Sequence, residues 1–277
     1  MPDFSPKSIT SRSNPRIVDA AKLQEKKHRT KTERFFFEGH KLFSEARAAD
    51  VPIECVIAEE QAYEKYGALF ADPTFEILVV PSSVYEKITA EQAPQGIFCI
   101  AKFLHNLNFS HTNAMNGSQF GDIINTETPQ KLLICDGLRD PGNLGTVIRT
   151  ANALGIDRLI LSSDCADLYN PKTVRAAMGA LFRLPMTVSD NIPEAIAQLR
   201  TQNYDVRAAA LTENAQPLGE YKVTPHTVFV IGNEGHGLSA QTIDACCGSV
   251  IIPMTEGAES LNAAIAASIL MWERTRL

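Results

Sequence analysis

The chain has 277 residues, is 44% hydrophobic and carries a net charge of -6. This length allows two ordinary domains or one large one, and this composition can bury a sizeable core. No apolar run approaches the roughly 20 residues that a membrane-spanning helix needs, and the polar start with Pro2, Pro6 and Pro15 lacks the apolar centre of a signal peptide; a cytoplasmic protein is expected.

Residues 1–16 read as a polar arm. Asn14-Pro15 predicts a helix start, and a helix to about Lys27 places Ile17, Ala20, Ala21 and Leu23 on one side. Lys26, Lys27, Arg29 and Lys31 follow, opposed only by Glu25 and Glu33. The acidic total argues weakly against a nucleic-acid partner. A local basic patch still attracts phosphate, because the field of a charge decays within about 10 Å. Taken alone, this run reads by default as a solvated helix face.

Strands are predicted at Arg34 to Phe37, Pro52 to Ala58, Ile77 to Val80 and Gly96 to Ala101, with a helix over Lys41 to Ala49 and further helices between. This is a small α/β domain, residues 1–103. Residues 104–130 are polar, Gly-containing and without sustained periodicity, and read as a linker or mobile loop.

Order returns at Lys131 and runs to the end, residues 131–277. Leu132 to Cys135 reads as a buried strand. The loop 136–145 leads into a helix with Leu144, Val147, Ile148, Ala151 and Leu154 on one apolar face. Arg149 falls off that face and is free to point into a cleft. Strands are predicted at Arg158 to Leu161, Leu184 to Val188, Asp205 to Leu211, Val228 to Gly232 and Val250 to Ile252. Helices are predicted at Pro171 to Leu181, Ile192 to Thr201 and near Ser239. The last helix is predicted to open at Ser260, as its N-cap, and to bury Leu261, Ile265, Ile269 and Trp272. Such alternation predicts a parallel sheet covered by helices.

Three polar loops follow strand ends, at 136–145, 232–239 and 253–262, where α/β proteins bind nucleotide-like ligands. No GxGxxG follows the first strand and no GxxxxGK[ST], HExxH or GxSxG occurs, which disfavours a dinucleotide fold, a P-loop, a zincin and a serine hydrolase. The six cysteines lack CxxC spacing and read as buried reduced thiols, so no metal is expected.

Taken together, three segments resemble the SpoU/TrmH family of RNA ribose 2′-O-methyltransferases, in the SPOUT superfamily. Asn143, Gly145, Arg149 and Ala151 meet its first motif. Gly232, Glu234 and Gly237 meet the second. Ile252, Pro253, Ser260, Leu261 and Asn262 meet the third. Asn14-Pro15-Arg16, Glu38-Gly39 and Pro94-Gln95-Gly96-Ile97 carry a weaker likeness to the small α/β RNA-binding domain that precedes the catalytic domain in such enzymes.

The resemblance implies a trefoil-knotted, parallel-sheet domain binding S-adenosylmethionine, and a homodimer whose active site draws on both subunits. It assigns catalysis to Arg149, with Asn143 and Glu234 orienting it or the ribose, and Ser260 and Asn262 shaping the knot. Gly232, Ile252 and Leu261 become the expected cofactor contacts, with Leu211 and Thr212 as further candidates. Lys26, Lys27, Arg29, Lys31 and Arg149 are the expected RNA contacts. Ribosomal RNA is the favoured substrate. A transfer RNA substrate, base methylation and a catalytically inactive RNA-binding or assembly protein stay open as alternatives.

Overall fold

The computed structural model describes residues 5–71, 74–104, 107–109, 128–255, 257 and 260–276. They fall into two compact units: Met1–His105 with Asp167–Phe182, and Asn106–Ala166 with Arg183–Leu277. The first unit thus includes a segment, Asp167–Phe182, that the sequence reading placed in the C-terminal domain.

The first unit contains β1 (Lys7–Ser8), α1 (Pro15–Lys22), α2 (Lys26–Thr32), β2 (Arg34–Glu38), α3 (His40–Ala48), β3 (Ile53–Glu59), α4 (Glu60–Lys65), β4 (Glu76–Val80), α5 (Ser82–Tyr85) and β5 (Ile97–Lys102). The strands form one sheet in the order β1-β4-β3-β5-β2. β3 and β1 pair parallel with β4, while β5 runs antiparallel to β2 and β3. Alternation along β2 sends its phenylalanines to opposite faces. Phe36 stacks on Phe98 at 4.6 Å, in a core with Ile17, Leu23, Ile57 and Leu78. Phe35 packs on Tyr169 at 4.6 Å and Phe37 on Phe182 at 5.2 Å. That second aromatic face explains why Asp167–Phe182, with its helix α7 (Pro171–Ala177), belongs to this unit.

The single helix expected to Lys27 ends instead at Lys22. The carbonyls of Leu23 and Gln24 accept hydrogen bonds, both at 2.8 Å, from the Arg29 guanidinium rather than continuing the helix. Arg29 is 2% exposed, and its other terminal nitrogen meets Asp167 at 2.5 Å. This corrects the expected phosphate-binding set: Arg29 faces inward and is held by Asp167, leaving Lys26, Lys27 and Lys31 on the surface. Removing one partner of a buried pair leaves the other charge uncompensated. Arg29→Ala is therefore expected to cost about 3–5 kcal/mol in denaturant unfolding; a loss below about 1 kcal/mol, the value of an exposed pair, would show that the pair is solvated.

The second unit contains β6 (Leu107–Phe109), β7 (Leu132–Cys135), α6 (Pro141–Ala153), β8 (Arg158–Ser162), β9 (Met186–Ser189), α8 (Ile192–Thr201), β10 (Asp205–Ala209), β11 (Gln216–Pro217), β12 (Thr227–Ile231), α9 (Ala240–Ala245), β13 (Gly248–Ile251) and α10 (Ala263–Thr275). Its sheet has the order β11-β13-β10-β12-β7-β8-β9-β6, and every pairing is parallel. β6 lies within the stretch expected to be a linker; residues 105–106 and 110–127 of that stretch lie outside the described residues. Leu132, Ile134, Val206, Ala208, Val228 and Val230 pack with Ile192, Ile196 and Leu199 of α8. On the other face α6 and α10 pack together, α10 against β12.

The last helix departs from expectation. Its N-cap is Asn262, whose side chain accepts from the N–H groups of Ala264 and Ile265 at 2.9 and 3.3 Å; Ser260 lies before the helix. Its inward face is Ala264, Ala267, Leu270, Met271 and Arg274. The small alanines let the backbone approach, and buried Arg274 donates to the Thr227 carbonyl at 2.9 Å. The stripe expected to be buried points outward instead: Leu261 is 38% exposed, Ile265 51% and Trp272 57%, with Ile269 half-buried.

Candidate active site

The C-terminal ends of β7 and β12 carry two loops that clasp each other. After β7, Asp140 caps α6, accepting from the Asn143 N–H at 2.8 Å, and Pro141 occupies the first turn. After β12, the Glu234 carboxylate reaches across to that loop. One oxygen accepts from the Arg139 N–H at 3.1 Å; the other accepts from the Asp140 N–H and the Asn143 side-chain amide, both at 3.1 Å. The Asn143 side-chain carbonyl then accepts from the Asn262 amide at 3.0 Å. One hydrogen-bond chain, Glu234–Asn143–Asn262, therefore joins all three motifs, from residues 119 positions apart at its widest.

Burial works to raise the Glu234 pKa, but hydrogen bonds from Asn143 and from the backbone of Glu234, Asp140 and Arg139 prevail and hold the carboxyl below the ordinary glutamate value. Its charge, and the clasp, therefore persist to lower pH than those of an ordinary glutamate carboxyl and are lost as pH falls through the lowered value.

The loop after β12 folds on itself. A Cβ on Gly232 would lie 2.5 Å from the Gly237 carbonyl carbon and 2.6 Å from the Leu238 nitrogen. The loop's own backbone therefore requires glycine here. Gly237 holds a φ of 67°, which favours glycine. Asn233 closes the turn: its side-chain oxygen accepts from Gly235 and His236, and its amide donates to the Gly137 carbonyl at 2.8 Å. Sequence reasoning missed Asn233 and Asp140. Asp140 was legible as an acid before Pro141 at a helix start; nothing local marks Asn233.

Arg149 is exposed, six residues beyond Asn143 on α6, or roughly 9 Å along the helix axis. Its guanidinium has no ion pair among the described residues and stands apart from the Glu234–Asn143–Asn262 chain. Ser260 is exposed and also stands outside that chain.

Four of the expected cofactor residues, Leu211, Thr212, Gly232 and Ile252, follow neighbouring strand ends. β10 lies between β12 and β13, with Ala208 opposite Val230 and Ala209 opposite Val250. Residues 211–212, 232 and 252 therefore leave three adjacent, aligned strand ends, and Leu261 precedes the helix beside them. Leu211 is 87% exposed and Met254 46%, presenting apolar surface beside backbone groups. A purine ring with polar edges suits such a surface. Among the described residues no cluster of His, Cys, Asp or Glu could hold a metal ion, and no helix is long and apolar enough to cross a membrane.

The parallel sheet carries at its strand ends three loops joined by hydrogen bonds through Asn143, an arrangement suited to a nucleotide-like ligand, and sequence comparison gives it a family. The model of the SpoU rRNA Methylase family matches residues 130–272, and that of the MRM3-like substrate binding domain matches residues 14–99. The chain belongs to the SpoU rRNA methylase family. It is 30% identical over 266 residues to the 23S rRNA (guanosine(2553)-2′-O)-methyltransferase RlmP of Bacillus subtilis, covering 96% of this chain and 98% of that protein. It resembles the crystal structure of an rRNA methyltransferase from Sinorhizobium meliloti with a TM-score of 0.81 and 30% identity, over 98% of each chain. The SpoU methyltransferase AviRb from Streptomyces viridochromogenes, solved in complex with AdoMet, gives a TM-score of 0.78 at 25% identity, over 95% of this chain and 97% of that one.

Proposed function

We propose that the protein transfers the methyl group of S-adenosylmethionine to a ribose 2′-hydroxyl of ribosomal RNA. The observation that carries this reading is the Glu234–Asn143–Asn262 chain, which ties the three family motifs into one constellation beside three aligned strand ends. Backbone groups at 211–212, 232 and 252, with the Leu211 and Leu261 side chains, hold the cofactor; when bound, it supplies an electrophilic methyl on a sulfonium. A ribose hydroxyl is a poor nucleophile at neutral pH. Arg149 meets that need as a permanent cation, clamping the neighbouring RNA phosphate and stabilising the developing alkoxide. Glu234, Asn143 and Asn262 fix the loops that align hydroxyl and methyl, and alignment supplies much of the acceleration. Ser260 shapes the same loop.

The working unit is a homodimer. Ile265, Ile269 and Trp272 form an apolar stripe on α10, continued by Leu261 just before the helix, and α10 packs on α6, the helix that bears Arg149. A twofold contact through this stripe brings one copy's Arg149 helix to its partner. The strand order supports a knotted tail, since β12 enters between β7 and β10 before the chain passes to β13. The free, buried thiols of Cys55, Cys99, Cys135 and Cys246 fit a reducing, cytoplasmic setting.

The test is transfer of isotope-labelled methyl to unmodified ribosomal RNA. The expected product is one ribose that resists alkaline cleavage; transfer only to transfer RNA or only to a base overturns the reading. Lys26, Lys27 and Lys31 serve as phosphate contacts of the N-terminal domain. Neutralising all three is expected to weaken RNA binding and to shallow its log–log salt slope by about 2–3, and an unchanged slope returns them to a solvated face.

A further inference from the structure

A cleft of about 590 Å³ opens beside the Glu234 clasp, at the ends of β7, β8, β9 and β12; it shares the loop after β12 with the cofactor residues and extends toward β8 and β9, away from β10 and β13. Its volume lies within the roughly 300–1,000 Å³ of small-ligand pockets. Asp136, Arg139, Asp164, Asp190 and His236 contribute to its lining. Asp136 is occupied structurally, accepting from the Thr242 hydroxyl at 2.7 Å. Arg139 and Asp164 are different. Their side chains are 67% and 53% exposed and meet at 3.1 Å, the kind of exposed pair that is weak and yields to a competing ligand.

Both members are nevertheless held in place from behind. Glu234 grips the Arg139 backbone N–H. The Ser162 hydroxyl donates to Asp164 at 2.6 Å and accepts from the Gly137 N–H at 2.7 Å. The cleft thus presents a guanidinium fork and a carboxylate side by side, anchored to the loops that carry the motif residues.

We infer that this cleft receives the base of the acceptor nucleotide and that Arg139 and Asp164 read it as guanine. The inference rests on the ribose-methylation reading above and adds the base to it. A carboxylate needs donors, and guanine alone among the four bases offers two adjacent ones, N1–H and N2–H₂. An arginine fork needs acceptors, and guanine offers O6 and N7. Three acidic side chains in the cleft disfavour phosphate there, whereas an unstacked base hydrogen-bonded along its edges is how RNA sequence is ordinarily read. Along the sheet edge the order is then base cleft, Asn143–Glu234 clasp and cofactor loops, which sets the ribose beside the clasp.

The experiment uses the full-length protein, S-adenosylmethionine and an unmodified ribosomal RNA transcript whose methylated position has been mapped. Transcripts then carry inosine, which lacks the N2 amine, or adenine at that position alone. Wild type is expected to favour guanine over inosine by about tenfold in kcat/KM. Asp164→Asn, which keeps the shape but turns one acceptor into a donor, is expected to shrink that preference to within about twofold. Arg139→Ala is expected to raise KM about tenfold with cofactor affinity unchanged. A purely structural role for either residue would lower rates on all transcripts alike, and that result overturns the inference. A mapped acceptor other than guanine, or full guanine preference in Asp164→Asn, does so as well. If wild type methylates no ribose at all, the failure lies with the ribose-methylation reading itself.

Discussion

Arg149→Ala is expected to lower kcat for methyl transfer by about 10²–10³-fold, the usual loss when one donor to a developing oxyanion is removed. S-adenosylmethionine affinity, measured by calorimetry, should change by less than about twofold. The split follows from position. Arg149 is exposed on α6 and outside the Glu234–Asn143–Asn262 chain, so its loss leaves the clasp and the aligned strand ends intact. Arg149→Lys keeps the charge but loses the fork, and should recover only part of the rate. Near-wild-type turnover in Arg149→Ala would remove the residue from the chemistry. Loss of cofactor binding would instead make it part of the donor pocket.

The double substitution Ile265→Asp, Trp272→Asp is expected to convert the proposed dimer into a folded monomer with methyl transfer reduced to background. Both side chains are about half exposed in the single chain, so replacing them costs the subunit little packing. In a twofold interface each change occurs twice, and four carboxylates would have to be buried. Sedimentation velocity reads the mass directly. Trp272 is the only tryptophan of the chain, so its emission should shift to longer wavelength when the wild type is diluted below its dimer Kd. A wild type that sediments as an active monomer, or a double variant that stays dimeric, would show that the stripe has another role.

Much of the second unit was legible because its strands are short apolar runs between helix-period segments, and the three motifs sat at their ends. The clasp could not be read from spacing, since Asn143 and Asn262 meet only after β12 has been placed beside β7. The last helix misled for a physical reason. Leu261, Ile265, Ile269 and Trp272 form the more hydrophobic stripe and so looked like the core side. The buried side is built on Ala264 and Ala267, whose merit is close approach rather than apolar area, and it also accommodates Arg274, whose polar atoms are satisfied by Thr227 and Pro225 carbonyls. Arg29 misled in the opposite sense. A cation in a basic run reads as surface, and only the fold brings Asp167, 138 positions away, to neutralise it.

The segment Asp167–Phe182 makes the protein less modular than its linear order suggests. The polypeptide passes between its two units three times, at 105/106, 166/167 and 182/183. A fragment ending near residue 105 would keep Phe35 and Phe37 but lose Tyr169 and Phe182, the rings that cover them, and would leave Arg29 without its acid. Grafting the unit that matches the substrate binding domain onto a relative therefore requires moving two pieces of sequence together, and chimeras cut once should be insoluble where those spliced at all three crossings fold.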